Sequence, residues 1–163
     1  MADTILIDDF SDTTGPWRFF TDQVMGGVST GEGRVATEGG VRFLRLTGTV
    51  STKNRGGFIQ ARRDLDAPLP EDASALRIRV RGDGETYFIH LRTRATALPW
   101  QYYQVAFRAA RNWQEITLPF TAFKPSGRLL PGTPRPERVT SVALVAYGRD
   151  HEPDVSLARV EAV

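Results

Sequence analysis

The stretch Leu76–Arg81, LRIRVR, is the clearest guide to the fold, because it alternates an apolar residue with an arginine at every step. Successive side chains of a β-strand point to opposite faces, so the apolar residues are expected to face a core and the arginines to face solvent. The triplet Gly82-Asp83-Gly84 follows directly, and glycine supplies the positive φ angles of a tight turn. We therefore predict a β-hairpin from this strand into a second strand at Thr86–Thr93.

Short runs of the same kind continue through the chain, and none keeps apolar residues at helical spacing for three turns. In the segment 41–50, VRFLRLTGTV, we expect Val41, Phe43 and Leu46 to face the core. Many short strands at roughly ten-residue spacing, without helical crossovers, predict an all-β fold, an antiparallel β-sandwich of jelly-roll type. Because the sequence shows no internal repeat and no sign of a second domain, we predict one domain spanning residues 1–163.

Composition excludes several classes of function. The 21 Lys and Arg residues and 19 Asp and Glu residues give a net charge of only +2, so no nucleic-acid partner is predicted. The absence of cysteine excludes disulfides, thiolate metal sites and cysteine nucleophiles. The opening MADTILIDDF lacks the basic and apolar regions of a signal peptide, and no later segment approaches the ~20 apolar residues of a membrane helix. We therefore expect a cytoplasmic protein without membrane insertion.

Two neighbouring strands place aromatic and polar side chains on the face away from the core. The period of two assigns Tyr87, Ile89 and Leu91 to the core, and it assigns alternate residues of the strand 102–108 likewise. The remaining side chains are predicted to line one concave sheet, with a tryptophan in the adjacent loop; these candidate binding residues are Phe88, His90, Arg92, Trp100, Tyr102 and Gln104. Aromatic, guanidinium and amide groups on one surface suit a sugar, a planar ligand or a peptide. The alternative is a face that loops cover or that is merely solvated.

Three further segments are not explained by sandwich building alone. They are DQVMGGVS at 22–29, preceded by Trp17, then NRGGF at 54–58, and WQEITLPFTAF at 113–123. Paired glycines have a structural explanation, because bulges and corners need positive φ angles or close backbone approach. The functional alternative is that both glycine pairs flank the open end of a groove and that polar side chains beside them bind a ligand. The candidates in these segments are Asp22, Gln23, Met25, Gly26, Gly27, Ser29, Asn54, Gly56, Gly57 and Phe58.

These segments resemble the CIA30 family, the domain of complex I intermediate-associated protein 30, in D-x-V-M-G-G-x-S, N-x-G-G-F and W-x-x-I-x-L-P-F-x-x-F. The likeness runs from Asp9-Phe10 to the last strand. It implies a galactose-binding-domain-like sandwich related to carbohydrate-binding modules, and an assembly-factor role in the mitochondrial members. It also leads us to expect that the two glycine segments meet in space. One departure is the loop Ser126-Gly127-Arg128, where family members commonly carry an Arg-Gly pair.

The leading hypothesis is a non-catalytic assembly factor or chaperone module that binds a protein partner, such as an assembly intermediate of a membrane or redox complex. The alternative is a carbohydrate-binding module that uses the concave sheet face. An enzyme would need a deep pocket with His90 beside a carboxylate. The only histidines are His90 and His151 and there is no G-x-S-x-G motif, so no catalytic residue and no cofactor are predicted.

Three acidic residues near the start of the chain, Asp8, Asp9 and Asp12, raise the alternative of a structural Ca²⁺ site. Carboxylate oxygens are the ligands that Ca²⁺ prefers. The segment lacks the D-x-[DN]-x-[DN]-G loop pattern, and no metal site is predicted.

Overall fold

The computed structural model describes residues 4–12 and 16–163, which form two antiparallel β-sheets. The strands are β1 (Ile5–Asp8), β2 (Arg18–Thr21), β3 (Thr30–Glu38), β4 (Val41–Thr49), β5 (Phe58–Asp64), β6 (Ala75–Gly82), β7 (Thr86–Thr93), β8 (Tyr103–Arg108), β9 (Gln114–Pro119), β10 (Lys124–Pro125), β11 (Val139–Tyr147) and β12 (Asp154–Ala162). Short 3₁₀ turns cover Asp22–Met25, Lys53–Arg55, Phe120–Ala122 and Pro136–Arg138.

The first sheet has the strand order β3-β4-β12-β6-β9, with β1 also paired to β12. The second sheet has the order β10-β8-β7-β11-β5-β2. Strands that are distant in sequence lie side by side in both sheets, as when β12 separates β4 from β6. The chain is thus an all-β antiparallel sandwich, and the predicted fold class is confirmed.

The core lies between the two sheets and follows the alternation seen in the sequence. Leu76, Ile78 and Val80 of β6 are buried in one apolar cluster with Tyr87, Ile89 and Leu91 of β7. The arginines of β6 lie on the opposite side, where Arg77 pairs with Glu161 of β12 at 2.6 Å. The period of two therefore identifies the faces of both strands correctly.

The predicted hairpin between β6 and β7 is wrong, because the turn carries the chain from one sheet to the other. Strand β6 pairs with β12 and β9, whereas β7 pairs with β11 and β8. The N–H groups of Gly82 and Gly84 donate to the carbonyls of Ala110 and Ala109, at 2.8 and 2.7 Å. The segment between β8 and β9 also crosses from one sheet to the other. These hydrogen bonds therefore join the β6–β7 connection to the β8–β9 connection.

The expectations for Val41 and Phe43 are also wrong, although that for Leu46 is confirmed. Leu44 and Leu46 enter the core cluster, and the alternation of β4 places Phe43 on the outer side of the first sheet. Phe43 packs there against Trp113, with ring centroids 5.4 Å apart, and the Arg81 guanidinium lies over both rings. An aromatic residue is thus buried on the outside of a sheet by the arginines around it.

Within the described residues no helix is long and apolar enough to cross a membrane.

A buried carboxylate and an aromatic face form the candidate functional site

Asp22 joins the two glycine segments at one end of the second sheet. It follows β2 directly, and its side chain is fully buried. Its Oδ1 accepts the Ser29 N–H at 2.9 Å, and its Oδ2 accepts the Ser29 hydroxyl at 2.5 Å. Oδ2 also accepts the N–H groups of Gly57 at 2.5 Å and Phe58 at 3.3 Å. The expectation that the two segments meet in space is confirmed.

The glycines beside Asp22 are required because the chain passes too close to the carboxylate for a side chain. A Cβ on Gly27 would lie 2.4 Å from the Asp22 carboxyl carbon, and one on Gly56 would lie 2.5 Å from Oδ2. Gly57 adopts a φ of +127°, which is strained for any other residue. These three glycines therefore have a structural role, because they let the backbone approach the Asp22 carboxylate closely.

Burial tends to raise the pKa of Asp22, but the hydrogen bonds from Ser29, Gly57 and Phe58 outweigh it and lower the pKa below its ordinary value. The side chain is therefore a carboxylate at neutral pH, and its negative charge is balanced by N–H and O–H dipoles. A carboxylate with this many donors is an anchor for backbone geometry.

The other polar groups of the glycine segments also bond within the fold. The Gln23 side-chain amide donates to the Ser29 carbonyl at 2.8 Å, and that of Asn54 donates to the Gly26 carbonyl at 3.2 Å. The same end of the molecule also exposes apolar side chains: Met25 is 63% exposed and Val24 is 71% exposed. Gln23 and Asn54 are exposed as well, but their amide groups already donate within the fold.

The outward side of the second sheet forms a continuous surface beside this anchor, which we call the aromatic face. Strand pairing places His90 opposite both Gln104 and Ala143, and Ala143 opposite Arg62. The aromatic face comprises Phe20, Phe58, Gln60, Arg62, Phe88, His90, Arg92, Tyr102, Gln104 and Tyr147. Five of these were predicted from β7, β8 and the residue before β8, and Phe58 was predicted from its glycine motif.

His90 lies at the centre of the aromatic face and is held by three neighbours. Its ring stacks on Tyr102, with centroids 4.0 Å apart and an angle of 14°, and Tyr147 meets it edge-on at 5.9 Å. Its Nε2 is 2.8 Å from the Gln104 side-chain oxygen. Burial lowers the pKa of His90 to about 4, so the ring is neutral at physiological pH. None of these neighbours is a carboxylate, and the acid–base pair that an enzyme would need is not formed here.

Arg92 organises the loop that borders the aromatic face. Its guanidinium donates to four backbone carbonyls of that loop, those of Thr96, Leu98, Pro99 and Gln101, at 2.9–3.2 Å. The hydroxyl of Ser126 accepts the Tyr102 N–H and donates to the Trp100 carbonyl, both at 3.0 Å. Trp100 is 67% exposed on this fixed loop. Arg92 thus positions Trp100 and has few N–H groups left for a ligand.

The loop Ser126-Gly127-Arg128 differs from the Arg-Gly pair described above. Gly127 has open space around it, and Arg128 is exposed. Leu129 follows and is 89% exposed. Ser126 ties this loop to Tyr102, because the Ser126 N–H donates to the Tyr102 carbonyl at 2.8 Å. The loop therefore forms a second part of the border of the aromatic face.

Sequence reasoning missed Gln60, Arg62, Phe20 and Tyr147. A signal for the first two was present, since Phe58, Gln60 and Arg62 alternate with Ile59 and Ala61 in β5. Their placement beside His90 depends on β11 lying between β7 and β5, which no local pattern reveals. Arg62 is notable because its Nε is buried without a hydrogen-bond partner.

A larger cleft lies at one end of the sandwich, with a volume of about 370 Å³. Its lining includes Tyr103, Arg135 and Arg138, and the Tyr103 hydroxyl already donates to the Pro131 carbonyl at 2.6 Å. None of the described residues that line it is a histidine or a carboxylate. The cleft therefore offers positive charge but no group for acid–base catalysis at neutral pH.

The acidic residues near the start of the chain have other partners. Asp8 accepts the Trp17 indole N–H at 2.7 Å and pairs with the buried Arg63 at 2.8 Å. Asp9 accepts the Ser11 N–H at 3.0 Å. Across residues 4–12 and 16–163 no cluster of three or more acidic or histidine side chains is arranged to hold a metal ion. The arginine beside Asp8 supplies the positive charge that a cation would otherwise bring.

A sequence profile described as complex I intermediate-associated protein 30 matches residues 8–158. The chain belongs to the CIA30 family. None of the curated proteins matches this CIA30 domain in sequence.

Solved structures with a similar fold include carbohydrate-binding modules of Clostridium thermocellum. The family 11 module of the cellulosomal cellulase Lic26A-Cel5E superposes with a TM-score of 0.81 at 11% identity, covering 100% of the CIA30 domain and 95% of that chain. A second structure of a family 11 module, in complex with a β-1,3-1,4-mixed-linked tetrasaccharide, has a TM-score of 0.79 at 12% identity, with 98% and 95% covered. The family 30 module of the cellulase Cel9D-Cel44B has a TM-score of 0.71 at 14% identity, with 99% and 98% covered. At these identities the similarity shows the sandwich fold.

Proposed function

We propose that this CIA30 domain is a non-catalytic binding module that docks a protein partner on the aromatic face during assembly of a larger complex. The observation that carries the proposal is the border of that face. Leu98, Trp100 and Leu129 are exposed there, on two loops that Ser126 fixes to Tyr102. Exposed apolar residues beside tyrosine and arginine, on a preorganised surface, have the composition of a protein interface.

The family match supports a partner of the assembly-intermediate kind, and the shallow surface supports binding without chemistry. Ala143 and Val145 are buried on the aromatic face beneath the larger side chains around them. The surface is therefore closed by its own residues and offers no deep pocket of the size that encloses a small substrate. Our proposal places this binding in the cytoplasm.

The test is affinity capture of the tagged domain from its own cells, followed by mass spectrometry. The Trp100→Ala variant removes the most exposed aromatic anchor, and Leu6→Ser removes an exposed apolar side chain of the first sheet as a matched control. We expect the same partner with the wild type and with Leu6→Ser, and its loss with Trp100→Ala. Equal recovery by both variants would place the interface elsewhere, and repeated recovery of no partner would reject a protein ligand.

A second candidate function is glycan binding on the same face. The flat stack of Tyr102 on His90, with Gln104 beside it, offers an aromatic ring and an amide together, as sugar sites do. The similar family 11 module is described in complex with a tetrasaccharide. Titration with mixed-linkage β-glucan oligosaccharides should then shift the NMR signals of Tyr102 and Gln104, and Tyr102→Ala should abolish the shift of Gln104. No shift and an unchanged melting temperature would reject this candidate.

A further inference from the structure

Arg62 is a cation on the aromatic face whose hydrogen-bonding capacity is not used by the fold. Its Nε is buried without a hydrogen-bond partner, and the described residues form no hydrogen bond with its guanidinium. The guanidinium lies over the Phe20 ring, 4.6 Å from the centroid. Stacking occupies a face of the planar group and leaves its N–H edge for other partners. Arg62 is therefore oriented by packing, and its terminal Nη groups are the donors left for a ligand, since Nε itself is buried.

The charge around Arg62 is also incompletely balanced. Burial and the neighbouring charges of Arg92 and Arg18 lower the pKa of Arg62 from its ordinary value. The negative charge of Asp64 acts in the opposite direction and raises the pKa of Arg62. The Asp64 carboxylate already pairs with Arg18 at 3.4 Å, however. By contrast, Arg63 on the same strand has both Asp8 and Asp66 within 2.8 Å. An anion beside Arg62 would relieve repulsion among three guanidinium groups.

A notch in front of Arg62 sets the size of the group that fits. It has a volume of about 30 Å³ and is lined by Gln60, Arg62, His90, Arg92, Pro99, Tyr102, Ser141 and Ala143. This volume holds one or two water-sized groups, and so cannot enclose a sugar ring or an aromatic ring. A carboxylate matches both the size and the forked donor geometry of arginine.

We propose that this notch receives a carboxylate of the protein partner, an Asp or Glu side chain that forms a forked ion pair with Arg62. The inference rests on the proposed docking of a protein on the aromatic face, and it adds that the docking segment is acidic. A protein source is favoured because the notch takes one small group, while Leu98 and Trp100 outside it offer apolar contact to the flanking residues of a peptide. Arg62 is then the charged anchor and Trp100 the apolar one.

The test follows the Arg62 Nε–Hε signal by NMR during titration of the intact domain with sodium acetate, with acetamide as the neutral probe of the same shape. We expect acetate to shift the Arg62 signal in a saturable way, with a Kd on the order of 10 mM, and acetamide to have no effect. Arg62→Lys keeps the charge but loses the fork, and should weaken acetate binding by roughly threefold or more, as followed in wild type and variants by the backbone amide signal of Gln60 in the notch. Arg34→Gln, an exposed arginine of the first sheet, is the matched control and should bind as the wild type does. Equal shifts with acetate and acetamide, or equal effects of the two variants, would overturn the proposal.

Two larger probes distinguish the source of the carboxylate: a blocked Gly-Glu-Gly peptide, whose sole charge is the glutamate, and trigalacturonic acid. The proposal expects the peptide to bind at least as tightly as acetate and more tightly than the sugar acid. Tighter binding of trigalacturonic acid would overturn it in favour of an acidic glycan. These titrations need no partner from cells, so a failure of acetate binding is distinct from a failure of the capture experiment with Trp100→Ala.

Discussion

Replacing Asp22 with asparagine tests whether the buried carboxylate anchors the two glycine segments. Asparagine has the same shape but offers one acceptor oxygen, and its NH₂ group would meet an N–H or O–H donor in either orientation. If the NH₂ group takes the place of Oδ1, the Ser29 N–H is left facing a donor. If it takes the place of Oδ2, the donors from Ser29, Gly57 and Phe58 lose their acceptor. The first orientation is therefore the less costly.

The expected loss can be estimated for that orientation. One buried N–H without an acceptor costs about 1–3 kcal/mol. The other bonds change from charge-assisted to neutral, which weakens each by roughly 0.5–1 kcal/mol. The free energy of unfolding should therefore fall by about 3–5 kcal/mol, a large fraction of the roughly 5–15 kcal/mol typical of a domain. In urea this moves the midpoint down by roughly 1–2 M.

The measurement is equilibrium urea unfolding of the wild type, Asp22→Asn and the control Asp72→Asn, whose side chain is exposed in a turn. The control should stay within about 0.5 kcal/mol of the wild type. Because the pKa of Asp22 is lowered in the fold, its stabilisation is present above the unfolded pKa of roughly 3.9 and is lost as pH falls through the lower folded value. The gap between wild type and Asp22→Asn should thus narrow in acid. A difference in unfolding free energy below about 1 kcal/mol at pH 7 would refute the role of Asp22 as an anchor.

Three further perturbations have defined outcomes. Gly56→Ala should destabilise by about 1–3 kcal/mol through overpacking, whereas Gly127→Ala, which has open space around it, should have little effect in the same urea assay. The pKa of His90 is about 4 in the fold against roughly 6.5 unfolded, so the unfolded state takes up the proton first and stability falls as pH drops from 6.5 towards 4. Between pH 7 and pH 4.5 the unfolding free energy of His90→Gln should fall by about 2 kcal/mol less than that of the wild type. An equal fall in the wild type and the variant would contradict this. Arg63→Met should cost about 3–5 kcal/mol by leaving Asp8 half-buried without its cation, and a thermal melt unchanged from the wild type would show that the pair is dispensable.

The sequence predicts the faces of a strand well when apolar residues occupy only one of them. This holds for β6 and β7, where the buried residues are the ones that the period of two selects. It fails for β4, because Phe43 and Leu44 are adjacent and both apolar. Phe43 is buried outside the core by Arg81 of β6 and by Trp113, the residue before β9. The apolar pattern within β4 cannot predict burial by residues that are distant in sequence.

The turn at Gly82-Asp83-Gly84 shows a second limit. Turn chemistry predicts a reversal of the chain, and Gly84 does adopt a positive φ of 85°. It does not predict which sheet the next strand joins. That choice depends on the segment at Ala109 and Ala110, which lies more than twenty residues away and bonds to both glycines. Non-local contacts of this kind also place Arg62 beside His90, across β11.

The polar residues of the glycine motif invite a functional interpretation, since exposed polar groups next to glycine are common at binding sites. In this fold a buried carboxylate needs several donors at once, and backbone N–H groups can approach it only where no side chain intervenes. Asp22, Gly27, Gly56 and Gly57 therefore depend on one another for structure. Free surface or unused donors belong to other residues, among them Met25, Trp100, Leu129 and Arg62. The motif by which the family is recognised therefore holds the scaffold together in this chain, and the binding that we propose depends on residues outside it.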